Sequence, residues 1–146
     1  LGFMLGRKSK YEKRDYLKQF KIGKATYSES LIYEAYGGLQ NDGIMLAVYY
    51  DVDAAKIIHQ LDSWEKINDS PTISSILKNV SSYFGLDFVI PEIASGNFFL
   101  YDNSQHKELR SEAEMNTLLL HSEDVNFSLV VWDDEKHTIY IVEYRI

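Results

Sequence analysis

The residues Ile44 to Tyr50 (Ile-Met-Leu-Ala-Val-Tyr-Tyr) form an unbroken apolar run framed by Gly43 and Asp51. A run this short, closed at both ends by turn formers, predicts a strand that is buried on both faces and therefore sits inside a sheet. Just upstream, Ser28 to Tyr36 alternates, with Leu31, Tyr33 and Ala35 on one side and Ser30, Ile32 and Glu34 on the other. That is the period of a half-buried strand. The intervening Gly37-Gly38-Leu39-Gln40-Asn41-Asp42-Gly43 is rich in turn residues, so the two runs are expected to pair as a hairpin.

A similar pattern closes the chain. Phe127, Leu129 and Val131 alternate, Asp133-Asp134-Glu135-Lys136 reads as a turn, and Thr138 to Tyr144 returns as a strand. Between the hairpins the period changes to that of helices. Asp51 and Asp53 can cap a short helix carrying Ala54, Ile57, Ile58, Leu61 and Trp64. The clearest helix has Ser70 as its cap and Pro71 in its first turn; Ile73, Ile76, Leu77, Val80, Tyr83 and Phe84 lie along one stripe, and Gly85 stops it.

Asp87 to Ile90 reads as a short extended piece and Asn97 to Tyr101 as an aromatic middle strand. Asp102 to Arg110 reads as a polar loop, after which Ser111 and Glu114 fit a capping box that opens a helix with Met115, Leu118 and Leu119 on its apolar edge. Strands grouped at the two ends with helices between them predict an α+β domain. Its expected form is a single antiparallel sheet of about five strands, two hairpins plus a middle strand, with two to three helices on one face.

Charge divides the chain differently. Residues 1–24 hold eight of the fifteen basic residues against Glu12 and Asp15, a net +6, while the rest carries twenty acids against seven bases, a net −13. A surface that negative repels phosphate backbones, so nucleic acid is not an expected partner. The opening Leu1 to Gly6 is apolar and runs straight into Arg-Lys-Ser-Lys. This is the pattern found where a membrane anchor gives way to its juxtamembrane linker, so residues 1–24 are expected to be such a remnant and 25–146 the globular domain. Two other readings fit the same residues: a cytoplasmic chain starting at Met4 with a basic arm, or a surface segment presenting Tyr11, Tyr16, Leu17 and Phe20 to lipid. Those four side chains could equally dock on the domain itself.

Recognisable catalytic patterns are missing. There is no cysteine, which excludes disulfides, zinc thiolates and thiol nucleophiles. The four histidines, His59, His106, His121 and His137, have no i, i+4 pair to share a metal. Asp42, Asp51 and Asp53 lack the alternation and the glycine of a calcium loop. Gly37, Gly38 and Gly43 lie between strands, with no helix N-terminus following to receive a phosphate. No serine sits in a Gly-x-Ser-x-Gly elbow. No catalytic residue, cofactor or metal is therefore assigned. Two groups remain as interaction candidates. Asp133 and Asp134, with Glu135, Glu123 and Asp124, could offer an acidic face to a basic protein. Tyr33, Tyr36, Asp42, Glu92 and His106 could line a small-molecule or hydrolytic pocket near the Gly37–Gly43 loop, with Glu34 and Glu92 paired only if the fold joins them.

Three stretches carry a resemblance: Glu34 to Gly43, Ile90-Pro91-Glu92-Ile93-Ala94-Ser95-Gly96 running into Asn97-Phe98-Phe99-Leu100-Tyr101-Asp102, and the closing segment from Asn126 through Trp132 to Glu143. Together they resemble an uncharacterised family of small bacterial proteins, mainly Gram-positive, with a Gly-Gly-x-x-x-Asp-Gly hairpin loop and an Ile-Pro-Glu-Ile-x-x-Gly-aromatic strand. The resemblance implies an N-terminal anchor or lipid modification and supplies no activity. The family's loop histidines are replaced here by Leu39 and Gln40. The expectation from the sequence is a membrane-associated, non-catalytic module for binding another protein, immunity-like in kind.

Overall fold

The computed structural model describes residues 2–7, 16–36, 43–67, 70–85, 88–120 and 125–145. Both expected hairpins form. Strand β2 (Glu29–Tyr36) pairs with β3 (Gly43–Tyr50), and β7 (Asn126–Asp133) pairs with β8 (Thr138–Arg145). β3 and β8 then pair with each other, which puts β3 inside the sheet as its two apolar faces require.

The expected count of about five strands is corrected by three additional ones. Residues Gly2–Arg7 form β1 on the open side of β2, Glu65–Lys66 form β4, and Lys107–Leu109 form β6. Seven strands follow the order β1-β2-β3-β8-β7-β5-β4, where β5 is Gly96–Asp102, and β6 shares the outer edge of β5 with β4. Every pairing is antiparallel. β4 and β6 escape a periodicity reading because two or three residues cannot show a period, and β1 because its apolar composition also suits a membrane segment.

The expectation of helices on one face is also corrected, since four helices divide between two faces. On the first face, α3 (Pro71–Tyr83) and α4 (Glu112–Leu120) cover Leu46, Val48, Phe98, Leu129, Val131 and Val142. Ser70 caps α3 as expected, its Oγ accepting the Ile73 N–H, and Gly85 follows the helix at φ 89°. The capping box of α4 is reciprocal: Glu114 N–H donates to Ser111 Oγ at 3.2 Å, and Ser111 N–H donates to Glu114 Oε1 at 3.3 Å. The Glu112 carboxylate accepts from the hydroxyls of Ser70 and Thr72, tying the start of α4 to the start of α3.

On the second face, α1 (Tyr16–Gln19) and α2 (Ile58–Asp62), the latter preceded by a 3-10 turn at Ala54–Lys56, cover Met45, Ala47, Tyr49, Val130, Trp132, Ile139 and Ile141. Tyr16, Leu17, Phe20 and Ile22 are buried there, so chain on either side of residue 24 shares this core. Tyr11 lies outside the described residues. β3, β7 and β8 are apolar on both sides, and a sheet of that kind must be covered twice. At the start of β5, a Cβ on Gly96 would lie 1.8 Å from the Trp132 carbonyl oxygen, so only glycine allows β5 and β7 to approach so closely here.

Candidate functional site

The second face changes character along its length. Across the sheet, one row runs Ala47, Ile141, Val130, Phe99 and is entirely apolar. The next row towards the Gly43 end runs Met45, Glu143, Ser128, Tyr101. Beyond it come Gly43, Arg145 and Asn126. The four-residue helix α1 covers the apolar rows and ends with Gln19 at the polar one, leaving a cleft of about 470 Å³ over this end of the sheet.

The floor of the cleft is a connected hydrogen-bond network. Ser128, only 2% exposed, donates its hydroxyl to Glu143 Oε2 at 2.5 Å. It accepts from Asn103 Nδ2 at 3.0 Å, and the same nitrogen donates to Asn126 Oδ1 at 3.0 Å. From above, Gln19 Nε2 donates to Glu143 Oε1 at 3.4 Å. A polar group taken out of water without a partner costs on the order of 1–3 kcal/mol, and these groups avoid that cost by bonding to one another.

The opposite end of the sheet is built from loops joined through backbone hydrogen bonds. Val52 N–H donates to His137 C=O at 2.8 Å, Asp53 N–H to Thr26 C=O at 3.1 Å, Ser28 N–H to Tyr50 C=O at 3.0 Å, and Asp134 N–H to Ser95 C=O at 3.0 Å. This brings the exposed Glu29, Asp51, Asp53, Asp134 and Glu135 to one end of the molecule. Glu123 and Asp124, expected to share the acidic face with Asp133 and Asp134, lie outside the described residues, and the chain resumes at the other end of β7. Asp133 itself is buried, and its carboxylate accepts from the N–H groups of Glu135 and Lys136, each at 3.1 Å. It shapes the turn, whereas Asp134 is exposed and accepts from the Trp132 indole at 3.3 Å.

The described residues proposed for a pocket do not assemble. Tyr33 is buried on the first face against Phe84 and Phe88. Tyr36 ends β2 opposite Gly43, and Asp42 lies outside the described residues. Glu92 is exposed on the rim of a separate cleft beside α3, lined also by Leu77, Lys78 and Ile93. His106 lies past the far end of β5, a strand on the order of 20 Å long, so it stands well away from Glu92.

His106 has a local role instead. Asp102 accepts from the N–H groups of Ser104 and Gln105, and His106 takes φ 53° before β6. Asp133 and His137 (φ 49°) repeat the arrangement before β8. Both histidines thus occupy the left-handed position of an Asp-x-x-x-His turn, a conformation that histidine adopts more readily than most residues. That repeat, Asp102 to His106 and Asp133 to His137, is visible in the sequence.

Four phenols are held protonated. Burial raises the Tyr140 hydroxyl most strongly, helped by Asp133 and Tyr50; burial also raises Tyr33 and Tyr50, with Glu29 adding to both, and Tyr144, with Tyr83 adding to it. A phenol shifted in that direction donates a hydrogen bond and does not serve as a base near neutral pH. Among the described residues, no three of His, Cys, Asp and Glu are grouped so as to hold a metal ion.

Sequence reasoning missed Gln19, Asn103, Asn126, Ser128 and Glu143 as a group, because they come from α1, the β5–β6 turn, β7 and β8. The one local signal was polar Ser128 and Glu143 interrupting otherwise apolar positions of the closing hairpin. Comparison of the chain with protein-family models, curated proteins and solved structures finds no match.

Proposed function

We propose that this chain is a non-catalytic protein-interaction domain of a bacterial membrane surface, immunity-like in kind, that meets a basic protein partner with its acidic loop end. The observation that carries this reading is the joining of four loops so that Glu29, Asp51, Asp53, Asp134 and Glu135 share one end. Carboxylates held on a rigid frame steer an oppositely charged partner and speed its approach.

Membrane association rests on the N-terminal segment. Its net +6 suits anionic head groups, each basic residue near such a surface contributing about 1 kcal/mol. Among the described residues, no helix is long and apolar enough to cross a membrane. A small-molecule site is the second reading. It is favoured by the 470 Å³ cleft at Gly43, where the Gly37–Gly43 loop ends, and Glu92 has no part in it.

Affinity capture from the membrane fraction of the native bacterium, with chemical crosslinking, tests the first reading. Recovery of one basic protein is expected, lost on Glu29→Lys with Glu135→Lys and weakened by salt. Undiminished capture by the doubly substituted chain, or turnover of a small substrate with no protein recovered, would overturn it.

A further inference from the structure

We propose that the cleft at the Gly43 end of the second face binds a neutral, polyhydroxylated ligand of the saccharide class. This inference rests on the small-molecule reading, whose ligand class it names, and stands without the protein-interaction reading. It starts from where the polar residues lie. Under α1 and α2 the second face is apolar except for Asn97, whose amide donates to the Leu61 C=O of α2, and a connected polar network appears only in the rows that those helices leave open. Packing alone does not call for Ser128 and Glu143 there, since the neighbouring row fills the same strands with Val130 and Ile141.

Hydrogen-bond accounting then defines what the cleft can recognise. Asn103 uses both hydrogens of its amide nitrogen, on Asn126 Oδ1 and Ser128 Oγ, which leaves its carbonyl oxygen as an acceptor. Asn126 has its carbonyl engaged, which leaves its amide nitrogen as a donor. The network therefore fixes both amides and presents an acceptor beside a donor. A hydroxyl both donates and accepts, so neighbouring hydroxyls on a sugar ring can satisfy such a pair in full.

Charge narrows the choice further. Among the described residues, the lining holds one carboxylate, Glu143, and one guanidinium, Arg145, two residues apart on β8. The two opposite charges offset one another, so neither an anion nor a cation gains net attraction, and a neutral polar ligand needs none. The volume falls within the roughly 300–1,000 Å³ of small-molecule sites.

The test is a ¹H–¹⁵N NMR titration of the full chain with glucose, galactose, N-acetylglucosamine and lactose, alongside glucosamine and glucuronate as charged counterparts. At least one neutral sugar is expected to shift the side-chain amides of Asn103 and Asn126 and the backbone amides of Ser128 and Glu143, saturating in the millimolar range. Asn126→Asp, which exchanges the donor for an acceptor, should weaken binding at least tenfold. Glu92→Ala, on the separate cleft beside α3, should change it less than twofold while the rest of the spectrum is preserved. No shift at these amides with any neutral sugar, tighter binding of a charged counterpart, or binding indifferent to Asn126→Asp in a folded protein would overturn the assignment.

Discussion

The two faces of the sheet are covered by different means. On the first, α3 runs thirteen residues with a serine cap, a proline in its first turn and a glycine after its end, and α4 docks beside it through the contact of Glu112 with Ser70 and Thr72. On the second, the cover is four residues of α1, a 3-10 turn and five residues of α2, with large aromatics making up the area: Phe20 and Trp64 each pack against Phe99, and Trp132 is buried beneath them. The longer helices leave a cleft beside α3 lined by Leu77, Ile90 and Ile93. The short, aromatic-rich segments leave the polar cleft at the Gly43 end.

If both faces are true cores, a large-to-small substitution on either should be severe. Phe84→Ala on the first face, where the ring is fully buried, is expected to cost about 3–5 kcal/mol, and Ile22→Ala under the second about 2–5 kcal/mol. Denaturant unfolding midpoints read both. A cost below about 1 kcal/mol at Ile22 would break the comparison, because it would make the second cover a loosely laid segment instead of a core layer.

A smaller effect concerns pH. The Lys107 ammonium, then the N–H and hydroxyl of Ser111 and the N–H of Arg110, hold the Glu114 carboxyl at about 2, below the ordinary value of 4.5. A depressed value means that this carboxylate contributes stability above about pH 4.5 and that the contribution is lost as pH falls towards 2. The difference in urea midpoint between the wild type and Glu114→Gln should therefore narrow over that window. A constant difference would show that α4 is held to the first face by packing alone.

The smallest effect belongs to the second face. The indole nitrogen of Trp64 is buried and has no hydrogen-bond partner among the described residues. Trp64→Phe keeps most of the ring packing and removes that unsatisfied donor, so its expected cost is under about 1 kcal/mol. Thermal melts would read it, and a loss above about 2 kcal/mol would mean that the nitrogen is bonded after all.

The comparison also explains what could be read in advance. The hairpins, α3 with its cap and stop, and the Ser111–Glu114 capping box were legible because each is a local pattern of about four to sixteen residues. The cover of the second face was not, because residues 16–25 and 52–64 meet only in space; the helical spacing of Ala54 to Trp64 was legible, but not the face that it covers. Burial on both sides of β3 was nonetheless written in its apolar run, and followed through it required cover on both faces. The pocket residues failed for a related reason: Tyr33, Glu92 and His106 were associated by residue type, whereas the antiparallel path of β5 sets Glu92 and His106 at opposite ends of a strand.

The sequence by itself determined the α+β class, the antiparallel pairing of two hairpins, the principal helix and the charge split between residues 1–24 and the remainder, all of which follow from spacing and composition along a continuous stretch. Tertiary structure alone decided which loops carry the acidic end, that chain before residue 25 joins the core, and that Gln19, Asn103, Asn126, Ser128 and Glu143 converge. Strand register and the packing of α1 over the sheet bring together residues separated by up to 124 positions, and no local pattern encodes that distance.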